Sequence, residues 1–200
     1  MSLAERHPDD DQPRFTYGDY IQWSGDERWE LIDGIAYLMS PAPSRAHQRL
    51  QYEIARQLGN QLEGHPCELA GAPFDIRLPE SDEADEDVPV VVQPDLAIFC
   101  DPNKTDEKGG RGAPDFIIEI LSPATASRDK TLKAKLYERH GVREYWIIDP
   151  GKRSAEVRIL GKDGHWQAVR HPAPDETVSL TAVPGLKVNL AKAFAAMTRS

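Results

Sequence analysis

Leu50, Ile54, Leu58 and Leu62 recur at every fourth position through an otherwise polar stretch, "SRAHQRLQYEIARQLGNQLEG". That period predicts an amphipathic helix, ended by Gly64. A different pattern precedes it: "RWELIDGIAYLMSP" sets two apolar stretches around Asp33-Gly34, a dipeptide suited to the left-handed backbone of a tight turn, and so predicts a β-hairpin. A second hairpin is predicted about Asp163-Gly164 in "SAEVRILGKDGHWQAVRH". Strands are expected at 67–78, 89–99 and 115–121, and again in "VREYWIID". Of these, "VPVVVQPDLAIFC" and "PDFIIEIL" are continuous apolar runs rich in β-branched residues, the mark of central strands covered on both faces.

Three more helices complete the pattern. "TYGDYIQW" begins with Thr16 as N-cap and Asp19 at the third helical position, an approximate capping box. Another opens at Ser127 or Asp129 and runs to about His140, before Gly141, and "NLAKAFAAM" closes the chain. The order of elements predicts an α/β (α+β) fold with a central mixed β-sheet flanked by helices.

Two hundred residues suffice for one domain with a substantial core. We expect a flexible tail over residues 1–14, rich in Asp and Pro, and a single domain over 15–200. The N-terminus lacks a secretory signal's apolar core and no apolar run reaches the ~18 residues of a spanning helix, so a soluble, cytoplasmic protein with no membrane partner is expected. Cys67 and Cys100 belong to no metal or redox motif and read as separate small buried side chains. A net charge of −9 excludes a protein that coats nucleic acid electrostatically, so any basic surface is local. The acidic run "PESDEADEDV" reads as a solvated loop, with divalent-ion scavenging as the alternative.

Against this background Glu119 stands out, because a carboxylate on a strand buried on both faces is costly unless paired or bound to a metal. Asp95, after Pro94 in the other apolar run, sits in an equally apolar context. If the strands are neighbours, both carboxylates can point at one hard divalent cation such as Mg²⁺. The following helix offers Lys130, Lys133 and Lys135, and a lysine beside metal-binding carboxylates can orient or deprotonate water and offset phosphate charge. Quieter readings exist for each: Asp95 capping a turn, Glu119 paired with Arg128 or a helix lysine, and the lysines facing solvent. Tyr145-Trp146 reads as core, and Ser122 lacks the setting of a hydrolase nucleophile.

Together "WELIDGIAYLMSPAPSRAHQ", "QPDLAIF", "IIEILSPAT" and "RDKTLKAKLYERHGVREYWIIDP" resemble the Uma-two family of the PD-(D/E)XK nuclease superfamily over about residues 15–195. The resemblance implies a restriction endonuclease-like core and a DNA endonuclease using Mg²⁺ (or Mn²⁺). Asp95 and Glu119 would be the acidic residues, with the main-chain carbonyl of Ile120 as a further metal ligand. The superfamily lysine belongs two residues after Glu119, where this chain has Leu121. The family's spacing moves it to the helix, as Asp129, Lys133 and Tyr137, which makes Lys133 the leading choice with Lys135 and Lys130 in reserve. Lys133 and Tyr137 share a helical face. Glu30 and His47 stand at recurrent family positions, Glu30 as a further carboxylate; the alternatives are an outward strand residue and a surface helix residue. Cutting both strands of a duplex calls for two sites, hence an expected homodimer. A catalytically silent scaffold and a hydrolase of small nucleotide-type phosphates stay open beside the nuclease reading.

Overall fold

The structure, a computed structural model, describes residues 13–39 and 43–198. Most of the expected tail, and Ser40-Pro41 of the family motif, lie outside the described residues. Arg14 is described, and it donates to the main-chain carbonyl of Asp33.

The chain begins with α1 (Tyr17–Tyr20), whose Thr16 and Asp19 form the expected capping box. The hairpin of β1 (Trp29–Ile32) and β2 (Ile35–Leu38) turns at Asp33 and Gly34, whose φ angles of 54° and 77° are the left-handed pair such a turn demands. Helix α2 (Arg45–Leu62) follows, capped by the Ser44 side chain, with Leu50, Ile54 and Leu58 fully buried. Each of those side chains contributes about 1.5–3 kcal/mol by leaving water.

Expected strands 67–78 and 89–99 each divide in two. The first becomes β3 (Glu68–Gly71) and β4 (Ile76–Arg77), and the second β5 (Val91–Val92) and β6 (Leu96–Phe99). Both breaks contain a proline, Pro73 or Pro94, which has no N–H to give a ladder. Next come a small hairpin, β7 (Thr105–Asp106) with β8 (Gly109–Arg111), inside the glycine-rich connection, and then β9 (Phe116–Ile120). The helical segment after it runs as α3 (Ala126–Arg128), a π-helical stretch Asp129–Lys133, and α4 (Ala134–Arg139). Strands β10 (Glu144–Asp149), β11 (Ser154–Leu160) and β12 (Trp166–Arg170) include the second expected hairpin, β11–β12. A further pair, β13 (Thr177–Ser179) and β14 (Lys187–Asn189), precedes α5 (Leu190–Ala196).

The expected central sheet is two six-stranded mixed sheets, ordered β2-β1-β5-β4-β8-β7 and β12-β11-β10-β9-β6-β3. Strand β9 is central in the second, flanked by β6 and by β10, to which it runs parallel. Strand β6 lies one place from the edge, and β5 belongs to the other sheet. Alternation along β9 sorts the core into two layers. Phe116, Ile118 and Ile120 pack with α2 and α5, whereas Ile117 and Leu121 join Ile76, Val92 and Ala97 in the layer that reaches the first sheet and α4. Among the described residues no helix is long and apolar enough to cross a membrane.

The cysteines correct the expectation of separate side chains: Cys67 and Cys100 are disulfide-bonded. Glu68 lies opposite Phe99 in the β3–β6 ladder, so one more step brings the two cysteines face to face across 33 residues of sequence. The acidic run is not simply solvated either. Its Asp85 pairs with Arg111 at 2.8 Å and with Arg77, a fully buried guanidinium that also meets Asp106 at 2.7 Å.

Candidate active site

The interruption at Gln93-Pro94-Asp95 is where one extended run leaves the first sheet and enters the second. Gln93 N–H donates to Glu30 Oε1 of β1 at 3.0 Å, and Asp95 Oδ2 accepts from Ile120 N–H of β9 at 2.6 Å. With Leu96 opposite Ile118 in an antiparallel pair, Asp95 falls beside Glu119. Glu119 occupies the position between Ile117 and Leu121 that the strand's alternation assigns to the inner apolar layer. Glu30, from the first sheet, enters the same space.

Lys133 ties these carboxylates together. Its Nζ lies 2.7 Å from Glu119 Oε1, 2.7 Å from Glu30 Oε1 and 3.8 Å from Asp129 Oδ1, and the residue is 3% exposed. Tyr137 Oη–H donates to the same Glu119 oxygen at 2.8 Å, and Tyr145 Oη–H anchors the helix by donating to the Asp129 carbonyl at 3.0 Å. The π-helical stretch carries both Asp129 and Lys133, and widened turns of this kind recur where a helix must aim side chains at a site.

Three carboxylates, those of Glu30, Glu119 and Asp129, thus surround one lysine ammonium, and Asp95 stands beside Glu119 on the neighbouring strand. Burial raises Glu119 well above the usual carboxyl pKa, with Lys133 opposing and the other acids reinforcing. Asp129 is raised for the same first reason. Burial works against the Lys133 ammonium, but Glu119, Glu30 and Asp129 outweigh it and hold its pKa above the ordinary lysine value. The lysine stands here as a hydrogen-bond donor to Glu119 and an ion-pair partner of Glu30.

His47 stands in the first turn of α2, where its backbone N–H meets the Ser44 cap, and it is buried rather than on the surface. Its Nε2 lies 2.9 Å from the Ile120 carbonyl, to which it donates, and 3.4 Å from Asp95 Oδ2. Burial lowers the imidazole pKa, but Asp95 and the Ile120 carbonyl more than offset this and leave it raised. The expected metal-ligand carbonyl thus already accepts one hydrogen bond, and a carbonyl oxygen has a second lone pair.

These groups line a cavity of about 430 Å³ that Arg28, Gln51, Gln93 and Arg128 also border. The structure therefore brings together Glu30, His47, Asp95, Glu119 and Lys133, with Tyr137 packed behind Glu119. It sets two reserve residues apart: Lys135 is exposed, since two helical positions turn it about 200° from Lys133, and Lys130 is half-buried with its carbonyl accepting from Arg158. Neither borders the cavity. Arg128, weighed as a partner of Glu119, lies instead 3.8 Å from Glu30 Oε2. The cavity roles of Arg28, Gln51 and Gln93 went unread, because isolated polar residues in loops and on helix flanks leave no periodic trace.

Known proteins are similar to this chain in sequence or in fold. The sequence profile of the Uma2 family, described as "Putative restriction endonuclease", matches residues 17–191. The protein slr1290 of Synechocystis sp. (strain ATCC 27184 / PCC 6803 / Kazusa), described as uncharacterized, is 25% identical over 167 residues, which cover 82% of this chain and 83% of that protein. A crystal structure of "a putative nuclease belonging to DUF820" from Anabaena variabilis ATCC 29413 superposes with a TM-score of 0.71 at 20% identity, over 92% of this chain and 99% of its own. The mixed α+β architecture is thus a restriction endonuclease-like fold.

Proposed function

The chain belongs to the Uma2 family, and from that premise we propose that it is a metal-dependent nuclease that hydrolyses phosphodiester bonds of DNA in the cavity between its two sheets. One observation carries the reading: a buried ammonium held by Glu119 and Glu30 at the base of an open cavity, with more carboxylates around it than it can neutralise. A pair serving only stability would need neither the surplus acids nor access to solvent.

The donor chemistry fits Mg²⁺ or Mn²⁺. Among the described residues no three His, Cys, Asp or Glu side chains form a ready metal cage. Asp95, Glu119 and the Ile120 carbonyl nonetheless offer hard oxygen donors in a negatively charged space, and Mg²⁺ is commonly held by one or two carboxylates and water. Bound there, the ion would supply positive charge to the phosphoryl oxygens and a more acidic water. Lys133 and Tyr137 fix one oxygen of Glu119, and neither of them engages the other. The protonated Lys133 positions the attacking water and meets charge that develops as the phosphorus–oxygen bond breaks. His47 holds the Ile120 carbonyl and Asp95 in place from α2.

Duplex cleavage would call for two copies of the chain, and we propose a homodimer on that ground; a monomer by light scattering at working concentration would remove it. The cavity's size, within the range of small-ligand sites, favours a second reading, hydrolysis of a nucleotide-sized phosphate. One panel separates them: supercoiled plasmid, single-stranded DNA and small nucleotide phosphodiesters, each incubated with Mg²⁺, Mn²⁺ or EDTA. Metal-dependent nicking of DNA supports the nuclease, and turnover of the small substrates alone supports the second reading. No turnover of any substrate would remove both and leave a catalytically silent binding protein.

A further inference from the structure

Several arginines elsewhere in this acidic chain are taken up by carboxylates. Arg77 meets Asp106 at 2.7 Å, Arg111 meets Asp85 at 2.8 Å, Arg143 meets Asp115 at 2.9 Å and Arg158 meets Glu156 at 2.6 Å. Two arginines on the cavity wall behave differently. Arg28 donates from Nε at 3.0 Å, and again from Nη2, to the neutral side-chain carbonyl of Gln93, and among the described residues no carboxylate lies within ion-pair distance of it. Gln93 is itself held by Asp75 at 2.7 Å and Tyr20 at 3.0 Å, which fixes the orientation of its amide and so the place of Arg28. Arg128 rests its guanidinium over the Tyr37 ring, 4.8 Å from the centroid. Its Nη1 is buried without a hydrogen bond, and Glu30 Oε2 stands at 3.8 Å.

Arg28 is thus positioned by a neutral amide, and Arg128 by an aromatic face with Glu30 at the edge of ion-pair distance and a buried N–H donor left without a hydrogen bond. A buried donor without a partner is costly. In a chain with 33 acidic residues against 24 basic ones, two cations bordering one cavity and hydrogen-bonded to no acid are matched to something else. A guanidinium presents a planar fork that fits two oxygens of one phosphate. We propose that Arg28 and Arg128 form the phosphate clamp of this site, gripping non-bridging oxygens of the substrate in the cavity that Glu119 and Lys133 also line. The assignment rests on the nuclease reading for its substrate, a nucleic acid phosphodiester, and on the two arginines for its chemistry.

Binding tests the clamp without turnover. Fluorescence anisotropy of a short fluorescein-labelled oligothymidylate is measured in EDTA for the full chain, for Arg28→Ala, Arg128→Ala and Arg128→Lys, and for Lys135→Ala as a surface control. Thymidine 5′-monophosphate serves as a competitor and as a ligand in its own right. Each arginine-to-alanine variant is expected to weaken binding roughly tenfold and to lower the slope of log affinity against log salt by about one. Arg128→Lys is expected to recover part of the affinity, keeping charge but losing the fork, and it carries the test if Arg128→Ala does not fold. Lys135→Ala should bind as the parent does. Oligonucleotide binding with unchanged affinity and salt slope in the arginine variants would overturn the clamp while sparing the nuclease reading. Binding of the monophosphate alone, lost in the arginine variants, would uphold the clamp and overturn the nucleic acid substrate. A parent chain that binds neither would overturn the proposal.

Discussion

Lys133 Nζ and Glu119 Oε1 meet at 2.7 Å where neither residue is more than 5% exposed, an ion pair set in an otherwise apolar layer and made by two elements 14 residues apart. Burying both charges costs several kcal/mol per ion unless each finds full compensation. Lys133 finds three carboxylates, and the carboxylates share one ammonium.

Removing that ammonium should therefore be expensive. Lys133→Ala is expected to destabilise the fold by about 3–5 kcal/mol near neutral pH, read from urea unfolding. The loss should shrink in acid, where the stranded carboxylates can take up protons. A loss under about 1 kcal/mol would show that the pair behaves like a surface salt bridge and would undercut the site's electrostatic description.

Cation binding should depend on pH through Glu119. Its pKa is raised by burial, so in the metal-free protein it holds a proton well above the usual carboxyl range, and a metal must displace that proton. Affinity for Mn²⁺ should rise with pH, with protons released on binding, measured by calorimetry in two buffers of different ionisation heat. Affinity independent of pH would contradict the role given to Glu119.

His47 yields a stability test of definite sign. Its folded pKa lies above the usual value of 6.5, so its stabilising contribution is complete below about pH 6.5 and fades as pH rises through the folded pKa. His47→Gln should cost more stability near pH 5.5 than near pH 8.5. Equal losses at both would show that the imidazole contributes as a neutral hydrogen-bond donor alone.

The disulfide between Cys67 and Cys100 closes a loop with a sequence separation of 33. In the chain-entropy account, a loop of that length corresponds to about 3–4 kcal/mol. The Cys67→Ala, Cys100→Ala double variant should melt at a lower temperature while keeping oligonucleotide affinity, since neither residue borders the cavity. Unchanged melting would mean that the bridge adds nothing to the ladder already joining β3 to β6.

Much of this was legible in residue order. The four-residue period of α2, the turn at Asp33-Gly34 and the two apolar runs carry strong local signals, and Glu119 declared itself by being an acid in the second run. Lys133 was harder, since nothing in "DKTLKAKLYER" distinguishes it from Lys130 or Lys135 except spacing shared with a family, and its burial depends on a π-helical stretch with no periodic signature. The division into two sheets was hidden for a related reason: strands of two residues, such as β4 and β5, are too short for alternation to register. Cys67 and Cys100 pair because of a strand register that only the fold supplies. Arg28 and Gln93 act through contacts 65 residues apart, beyond any local pattern.

The most direct test of the central claim is metal-dependent cleavage by the parent chain beside Glu119→Gln, which keeps the side chain's shape and gives up the carboxylate. Single-turnover cleavage of plasmid and single-stranded DNA in Mg²⁺ or Mn²⁺ is expected from the parent, none in EDTA, and a loss of at least about a hundredfold in a variant that circular dichroism shows to be folded. Cleavage that survives Glu119→Gln undiminished, or that proceeds in EDTA, would contradict the account and move the chemistry away from this cavity.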